Sequence, residues 1–443
     1  MRVTLDYGRD GLPVDLPDRN VVGVLTQTPA PRLADPDDAI RSALRAPIGT
    51  RPLAEIARER SGGQVCIVIC DITRPVPNAL LLPAIAEELA VGGIPRNNLT
   101  ILIATGTHRP NVGEELVELV GAEFATGVRI VNHDSTDFSA LRDFGTTPNG
   151  VPVRLNRHYT EADLRITVGL IEPHFMAGYS GGRKLIMPGI AGLETVQAWH
   201  SPRFLEHPNA TAGITVGNPV HEENTLIARL CPPDLIVDVT LDAEKKITGV
   251  FAGELEAAWN AGVEFAARHV RVSVPEPVDI AITTGAGAPL DATFYQAVKG
   301  MVGALPIVRR GGTIIIAAAC TEGIGGPHFR RCLLETRDLQ GLVENLQRPD
   351  HVPFPDQWQA EELARATRFH EVRMFCEGIP SDLLGQLHVT PAESVERAVE
   401  AALAIHGPDA RIAVLPKGPY VIPYVAGNGR SDGQAGEGRR NPE

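Results

Sequence analysis

The chain has 443 residues, 43% hydrophobic and 21% charged, which is enough for two domains with buried cores. A formal charge of −13 argues against nucleic acid as the main partner, because that task shows as a basic surface. The longest apolar run, IIIAAAC at 314–320, is far short of a membrane span, and MRVTLDYGRDG at the start has no apolar leader core. The expectation is a cytoplasmic protein with no membrane and no nucleic-acid partner.

Short β-branched runs alternate with helical patterns along the chain. QVCIVICD (64–71) reads as a strand, followed by a helix in ALLLPAIAEELAVGG (79–93) that stops at glycines. LTILIATG (99–106) is the next strand, GEELVELVGAEFA (113–125) a helix, and VRIVNHD (128–134), LRITVGLIE (164–172) and DLIVDVTLD (234–242) are further strands. The helix ELEAAWNAGVEFAARHV (254–270) precedes SVPEPVD (273–279), whose two prolines suit an interdomain hinge. Strands then resume in VDIAITTGAG and GGTIIIAAACTEG, with helical patterns at 329–347 and 358–370. The strand VRMFCEG (372–378), the helix 393–407 and the strand RIAVLPKG (411–418) follow, before a polar, glycine-rich tail.

This alternation predicts an α/β fold of two domains, each a largely parallel sheet flanked by helices, with the active site in the crevice between them. The expected boundaries are 1–273 and 274–407. The 408–425 segment is open to either domain, and 426–443 is expected to be disordered. The six cysteines form no C-x-x-C pair, and Cys66 and Cys70 share one face of a strand, so reduced thiols are expected rather than metal ligands.

Each apolar strand runs into polar or glycine-rich residues at its carboxyl end, the edge where open α/β sheets bind ligands. Asp71 and Arg74 follow the first strand in DITRP, where Arg74 can grip a carboxylate or phosphate or simply pair with Asp71. His108 lies in GTHRP and His174 in EPH, ahead of the glycine-rich stretch HFMAGYSGGRKLIMPG. That stretch is no G-x-x-x-x-G-K-[ST] loop, since Leu185 follows Lys184. Two imidazoles on different strand ends suit proton handling on two faces of one substrate, because imidazole titrates near neutrality, at roughly 6.5.

The ordered motifs DITRP, GTHRP, EPHFMAGYSGGRK, WHSP, GNPVHEE, PLDATFYQAVKG and DQWQ resemble the nickel-pincer lactate racemase family over nearly the whole chain to about residue 425. The spacing is specific: a lysine ten residues after His174 and a histidine sixteen beyond that. The resemblance implies a racemase or epimerase of 2-hydroxy acids that uses a nickel-pincer nucleotide, a pyridinium-3-thioamide-5-thiocarboxylic acid mononucleotide carrying Ni(II). It implies that Lys184 is the covalent anchor and that His200 is the protein ligand to nickel, completing a square-planar set. His108 and His174 match the acid/base pair, and Arg74 and Lys299 the residues that hold substrate oxygens. Gln296 is placed with these catalytic residues.

Asp71, Ser180, Gly181, Gly182, Tyr295 and Trp358 are expected around the cofactor. Tyr295, Gln296 and Lys299 are spaced to share one side of a helix. The glycines are expected to let backbone approach the nucleotide. The implied reaction is reversible hydride transfer from the substrate α-carbon to the cofactor ring while the histidines manage the hydroxyl proton. Implied partners are a small 2-hydroxy acid and the cofactor-maturation proteins. The same mechanism on malate, 2-hydroxyglutarate, an aryl-lactate or a sugar acid is the nearest alternative. A nicotinamide-dependent dehydrogenase is disfavoured because no G-x-G-x-x-G follows the first strand. A non-catalytic nucleotide-binding protein is disfavoured by the retained histidines and lysines.

Overall fold

The computed structural model describes residues 1–348 and 350–426. These form two compact units, each discontinuous in sequence: a larger one of 27–271 with 325–364, and a smaller one of 1–26 with 272–324 and 365–426.

The larger unit is organised by six strands: Val65–Cys70 (β1), Leu99–Ala104 (β2), Arg129–Asn132 (β3), Leu164–Leu170 (β4), Leu235–Leu241 (β5) and Ile247–Gly253 (β6). They lie in the order β6-β5-β4-β1-β2-β3. The first five pair in parallel, and β6 returns antiparallel along β5. β1, β4 and β5 are buried almost throughout, which is why they read as unbroken apolar runs rather than alternating ones. The Asn78–Val91 helix crosses from β1 to β2 and buries Leu81, Leu82, Ile85 and Leu89 in the same core as Ile67, Ile69 and Ile101. The Leu255–Val270 helix packs on β5 and β6.

This order has one functional consequence. The chain leaves β1 toward β2 on one side, while β4 leads to β5 on the other. Connections diverging from neighbouring strands open a crevice beyond their carboxyl ends, and this is where doubly wound sheets take ligands. Asp71 and Arg74 follow β1, and His174 and Lys184 follow β4, so the sequence delivers its reactive residues to that switch point.

The smaller unit holds a six-stranded, all-parallel sheet in the order Thr390–Pro391, Glu371–Phe375, Val308–Ala317, Val278–Thr284, Ile412–Val414, Val21–Val24. An Arg2–Leu5/Leu12–Asp15 hairpin and the Val395–His406 helix supply Leu5, Val14, Val395 and Val399 to a core with Ile280, Ile282 and Ile315. The Phe294–Ala304 helix packs on the Val278–Thr284 and Val308–Ala317 strands.

The structure departs from the sequence reading at several points. Residues 1–26 belong to the smaller unit, because Val21–Val24 pairs in parallel with Ile412–Val414. The same strand settles 411–418, which lies inside the smaller unit's sheet next to Val278–Thr284. Residues 325–364 belong with the larger unit, so a single break near 273 does not describe the chain. The helix expected over 113–125 is two helices, Glu114–Val120 and Ala122–Ala125, broken at Gly121 with φ +81°. Ala426 donates its amide to Val274 O at 2.8 Å, and the rest of the expected disordered tail lies outside the described residues.

Candidate active site

At the end of β1 the chain turns sharply and buries Asp71. Its Oδ1 accepts from the Thr73 amide at 3.2 Å and the Thr73 hydroxyl at 2.5 Å, a local Asx turn that fixes the carboxylate. Its Oδ2 lies 2.6 Å from His108 Nδ1. Burial works to raise the pKa of Asp71, but the hydrogen bonds from His108 and Thr73 outweigh it and hold the carboxyl below its ordinary value. His108 itself sits on a turn after β2, where its amide bonds Thr105 O at 2.8 Å. Its side chain is 52% exposed while that of Asp71 is 6% exposed, so a buried anion holds an accessible ring by one nitrogen. The ring hydrogen on Nδ1 therefore points at Asp71, and Nε2 is the lone-pair nitrogen. Asp71 was expected at the cofactor or paired with Arg74. In the structure its carboxylate is held by His108 and Thr73, with the Arg74 charge also favouring the anion, and Arg74 Nε pairs with Glu172 Oε1 at 3.0 Å.

Beyond β4, residues 173–174 and 178–179 form a two-residue antiparallel ladder that projects His174. His174 Nδ1 accepts from the amides of Ala177 at 3.2 Å and Met176 at 3.4 Å, and the ring stacks on Phe175 with centroids 5.2 Å apart. Accepting at Nδ1 leaves the ring hydrogen on Nε2, the opposite tautomer to His108.

The chain then enters the lysine loop. Gly181 (φ +78°) and Gly182 (φ +51°) adopt backbone that side chains resist. A Cβ at Gly181 would lie 2.9 Å from Ile171 Cγ1 and 3.0 Å from Asp238 Oδ2, and one at Gly182 would lie 2.8 Å from Trp259 Cδ1. The space that their missing side chains leave is filled by Ile171, Asp238 and Trp259, so packing alone requires glycine at both positions. Asp238 on β5 accepts the Gly182 amide at 2.8 Å, and Trp259 Nε1 donates to Ser180 O at 2.8 Å. Beneath the loop the buried guanidinium of Arg183 lies 3.6 Å from the centre of the Trp259 ring, and His221 stacks on the same indole at 5.2 Å. Burial pushes Asp238 up to about 7, against the Gly182 amide and the charge of Arg183. It also holds Arg183 down to about 9, against the pull of Asp238 and Glu256. The loop is thus clamped from below, and Lys184 is carried on its one helical turn, Gly182–Leu185.

Lys184 and His200 meet around one side chain. The ammonium of Lys184 lies 5.0 Å over the Trp199 ring, and the Trp199 and His200 ring centres are 4.2 Å apart. His200 caps the Leu193–Trp199 helix, and its other face stacks on Trp358 at 4.6 Å and 24°. The imidazole is buried between two indoles, and its Nδ1 has no hydrogen-bond partner. Burial, then the neighbouring charge of Lys184, drives its pKa well below the ordinary value, so the ring is neutral. A neutral imidazole with an orphaned nitrogen is a ready metal ligand. Among the described residues no group of three or more histidine, cysteine or carboxylate side chains is arranged to cage a metal. His200 therefore suits a metal whose remaining ligands come with a cofactor. Ser180 Oγ is buried and likewise lacks a partner. The residues present fit the lysine-tethered, nickel-carrying group.

Tyr295, Gln296 and Lys299 lie on the Phe294–Ala304 helix of the smaller unit, capped by Thr293, whose hydroxyl accepts the Gln296 amide at 3.3 Å. Phe294, Ala297, Val298 and Met301 are buried, and the three polar residues share the less buried face. Sequence reasoning missed Glu172, Arg183, Trp199, Asp238 and Trp259. Two signals were present: a carboxylate in the middle of the apolar run DLIVDVTLD, and a tryptophan directly before His200. Asp356 was also missed. Burial raises its pKa, with the charges of His328 and His108 pulling against that rise.

Models of the lactate racemase N-terminal and C-terminal domains match residues 7–213 and 274–423. A lactate racemase of Thermoanaerobacterium thermosaccharolyticum is 36% identical over 423 residues, covering 95% of this chain and 98% of that one. One of Lactiplantibacillus plantarum is 36% identical over 424 residues, covering 95% and 99%. The solved lactate racemase apoprotein of T. thermosaccharolyticum superposes with a TM-score of 0.90 over 96% of this chain and all of that one, at 36% identity. A crystal structure of a Thermotoga maritima protein shares the fold at a TM-score of 0.67 and 18% identity, covering 88% and 98%. With both domain models matched in order and the relatives aligned nearly end to end, this chain is an isomerase of the lactate racemase family.

Proposed function

We propose that this enzyme racemises lactate, or a 2-hydroxy acid of similar size, with a nickel-pincer nucleotide joined to Lys184 and ligated through His200. The observation that carries this reading is the convergence of a lysine and a buried, neutral, orphaned imidazole on Trp199. When bound, the group supplies a two-electron acceptor for the substrate's α-hydrogen, which no side chain provides. The protein's own residues do the rest. Arg74, its guanidinium oriented by Glu172, takes the substrate carboxylate. His108 Nε2, fixed as the lone-pair nitrogen by Asp71, accepts the hydroxyl proton.

His174, with its hydrogen on Nε2, donates to the same oxygen as it becomes a carbonyl. For the mirror-image substrate the roles exchange: the His174 hydrogen must first move from Nε2 to Nδ1, displacing the Met176 and Ala177 amides, so that the Nε2 lone pair takes the hydroxyl proton and the ring becomes imidazolium. For Tyr295, Gln296 and Lys299 the support is the family resemblance and the helix face they share; Lys299 is assigned to a substrate oxygen.

The test is to purify the protein with its cofactor-maturation partners and measure intact mass, nickel content and racemisation. A covalent adduct at Lys184, stoichiometric nickel and interconversion of the lactate enantiomers are expected. Lactate carrying deuterium at the α-carbon should keep it in the product. Inversion by protein with an unmodified Lys184, or loss of the label to water, would overturn the reading. A panel of malate, 2-hydroxyglutarate, aryl-lactate and sugar acids, followed by polarimetry, decides the substrate.

A further inference from the structure

The mechanism leaves a pair of thiols unused in the smaller unit. Cys320 lies three residues beyond the Val308–Ala317 strand and Cys376 one residue beyond the parallel Glu371–Phe375 strand, whose ends are in register at Ala317 and Phe375. The two extensions stay together: the Gly378 amide donates to Ala319 O at 2.9 Å, and Cys376 Sγ lies 3.8 Å from the same carbonyl. A Cβ at Gly378 would fall 2.1 Å from Cys320 O, so the chains touch with no room for a side chain between them. Each thiol is the largest single influence on the other's acidity. Cys320 is buried, Cys376 is partly exposed, and both are reduced.

The pair is asymmetric in the way that thiol oxidation needs. The neighbouring Cys320 thiol, and then the Ile379 and Gly378 amides, hold the Cys376 thiol below its ordinary value against the opposing effect of burial. The Cys376 thiol, and then burial, hold Cys320 up. Cys376 is the accessible nucleophile and Cys320 the resolving thiol behind it. Cys320 also has φ +48°, a left-handed conformation that a side-chain-bearing residue seldom adopts.

The turn that begins at Cys320 seats the helix carrying Tyr295, Gln296 and Lys299. Cys320 N bonds Asp291 O at 2.8 Å and Glu322 N bonds Ala292 O at 2.7 Å. Phe294 N bonds Gly323 O at 2.9 Å, and Tyr295 N bonds Ile324 O at 3.0 Å. Any displacement of Cys320 is therefore transmitted to the first turn of that helix.

We propose that Cys320 and Cys376 are a modification site, forming a reversible intramolecular disulfide with a low-molecular-weight disulfide or peroxide, and that the bond shifts the 320–324 turn. With a disulfide as oxidant, the Cys376 thiolate attacks one sulfur and expels the first thiolate. Cys320 then loses its proton and attacks Cys376 Sγ, expelling the second. The protein gives up two electrons and two protons, and the oxidant leaves as two thiols. Formation of the bond does not depend on the racemase reading. Only its effect on substrate handling does, through Lys299.

The test treats the full-length unloaded protein with oxidised glutathione, quenches it by alkylation and maps the cysteines by mass. Expected is a product lighter by two hydrogens, linked between Cys320 and Cys376, and reversed by dithiothreitol, with Cys66, Cys70, Cys231 and Cys332 alkylated. Cys320→Ala should stop at a glutathione adduct on Cys376, and Cys376→Ala should take no adduct at Cys320. Hydrogen exchange at the Phe294 and Tyr295 amides should change on oxidation and recover on reduction. A folded wild-type protein that keeps both thiols, or carries glutathione on Cys376 without resolving it, overturns the site. A disulfide that leaves those two amides unchanged overturns the coupling.

Discussion

The larger unit treats His108 and His200 in opposite ways. His108 stands half in solvent on a turn after β2, held at one nitrogen by a buried carboxylate. His200 is sealed between Trp199 and Trp358, and no hydrogen bond reaches its Nδ1. The first arrangement fixes a tautomer and leaves a nitrogen where a proton can come and go. The second removes hydrogen-bond partners and leaves a neutral lone pair suited to an electrophile such as a metal ion. One residue type is thus prepared for the two proposed roles, acid/base group or ligand, according to whether the fold gives it a carboxylate or two indoles.

The strongest way to break this contrast is to remove the ligand side. His200→Ala is expected to abolish retained nickel and racemisation together, while leaving the cofactor adduct at Lys184 detectable by intact mass. Lys184→Arg keeps a cation over Trp199 and removes the nucleophilic amine, so no adduct should form and activity should fall below detection. Nickel retained at wild-type stoichiometry in His200→Ala would dissolve the distinction between the two histidines.

On the acid/base side, His108→Ala should keep nickel and the adduct but lose about 10²–10⁴-fold in kcat/KM. Because the enantiomers are equal in free energy, the loss must be the same in both directions. Asp71→Asn is the finer probe: it keeps the shape and removes the anion that sets the His108 tautomer. A drop of about 10²-fold is expected, smaller than deletion of the imidazole, with a changed pH profile of kcat/KM and unchanged metal content. Equal activity in Asp71→Asn and wild type would reduce the Asp71–His108 contact to a loop tie.

How far the sequence revealed this depended on the length scale of the signal. β1, β2, β4 and β5 announce themselves because strands covered on both faces must be apolar throughout, and Asp71, His108 and His174, which follow three of them, are residues of the proposed site. The short strands were harder: Val21–Val24 has too few residues to show a period and was not read, while 411–418 was read as a strand but not placed, and the pairing of Val21–Val24 with Ile412–Val414 is what sends the first 26 residues to the smaller unit. The glycines of the lysine loop were visible, but their reason was not. Gly181 and Gly182 are set by Asp238 and Trp259, 57 and 77 residues further on, and a one-dimensional reading cannot bring such partners together. Trp199 was overlooked because a tryptophan beside a histidine carries no spacing rule.

The smallest expected effect concerns buried imidazoles as a class, and it is read from stability rather than catalysis. His133 is held down to about 4 by burial, with Ala191 O accepting from it and Asp134 nearby pulling the other way. His221, against Trp259 and facing Arg183 and Arg229, is held down to about 3 by burial and then by those charges. Each binds a proton in the unfolded chain near pH 6.5 but not in the folded one, so the stability they leave intact above that pH is lost as pH falls toward 4. The slope is about 1.4 kcal/mol per pH unit for each group. Asp238, facing the Gly182 amide and Arg183 and pushed up to about 7, works in the opposite sense. Between pH 4 and 7 it is protonated in the folded protein and ionised in the unfolded one, which partly offsets the histidines on acidification. Asp238→Asn removes that offset. Urea unfolding of the variant should therefore lose stability more steeply than wild type between pH 6.5 and 4, and parallel curves would show that Asp238 keeps an ordinary carboxyl pKa beneath the lysine loop.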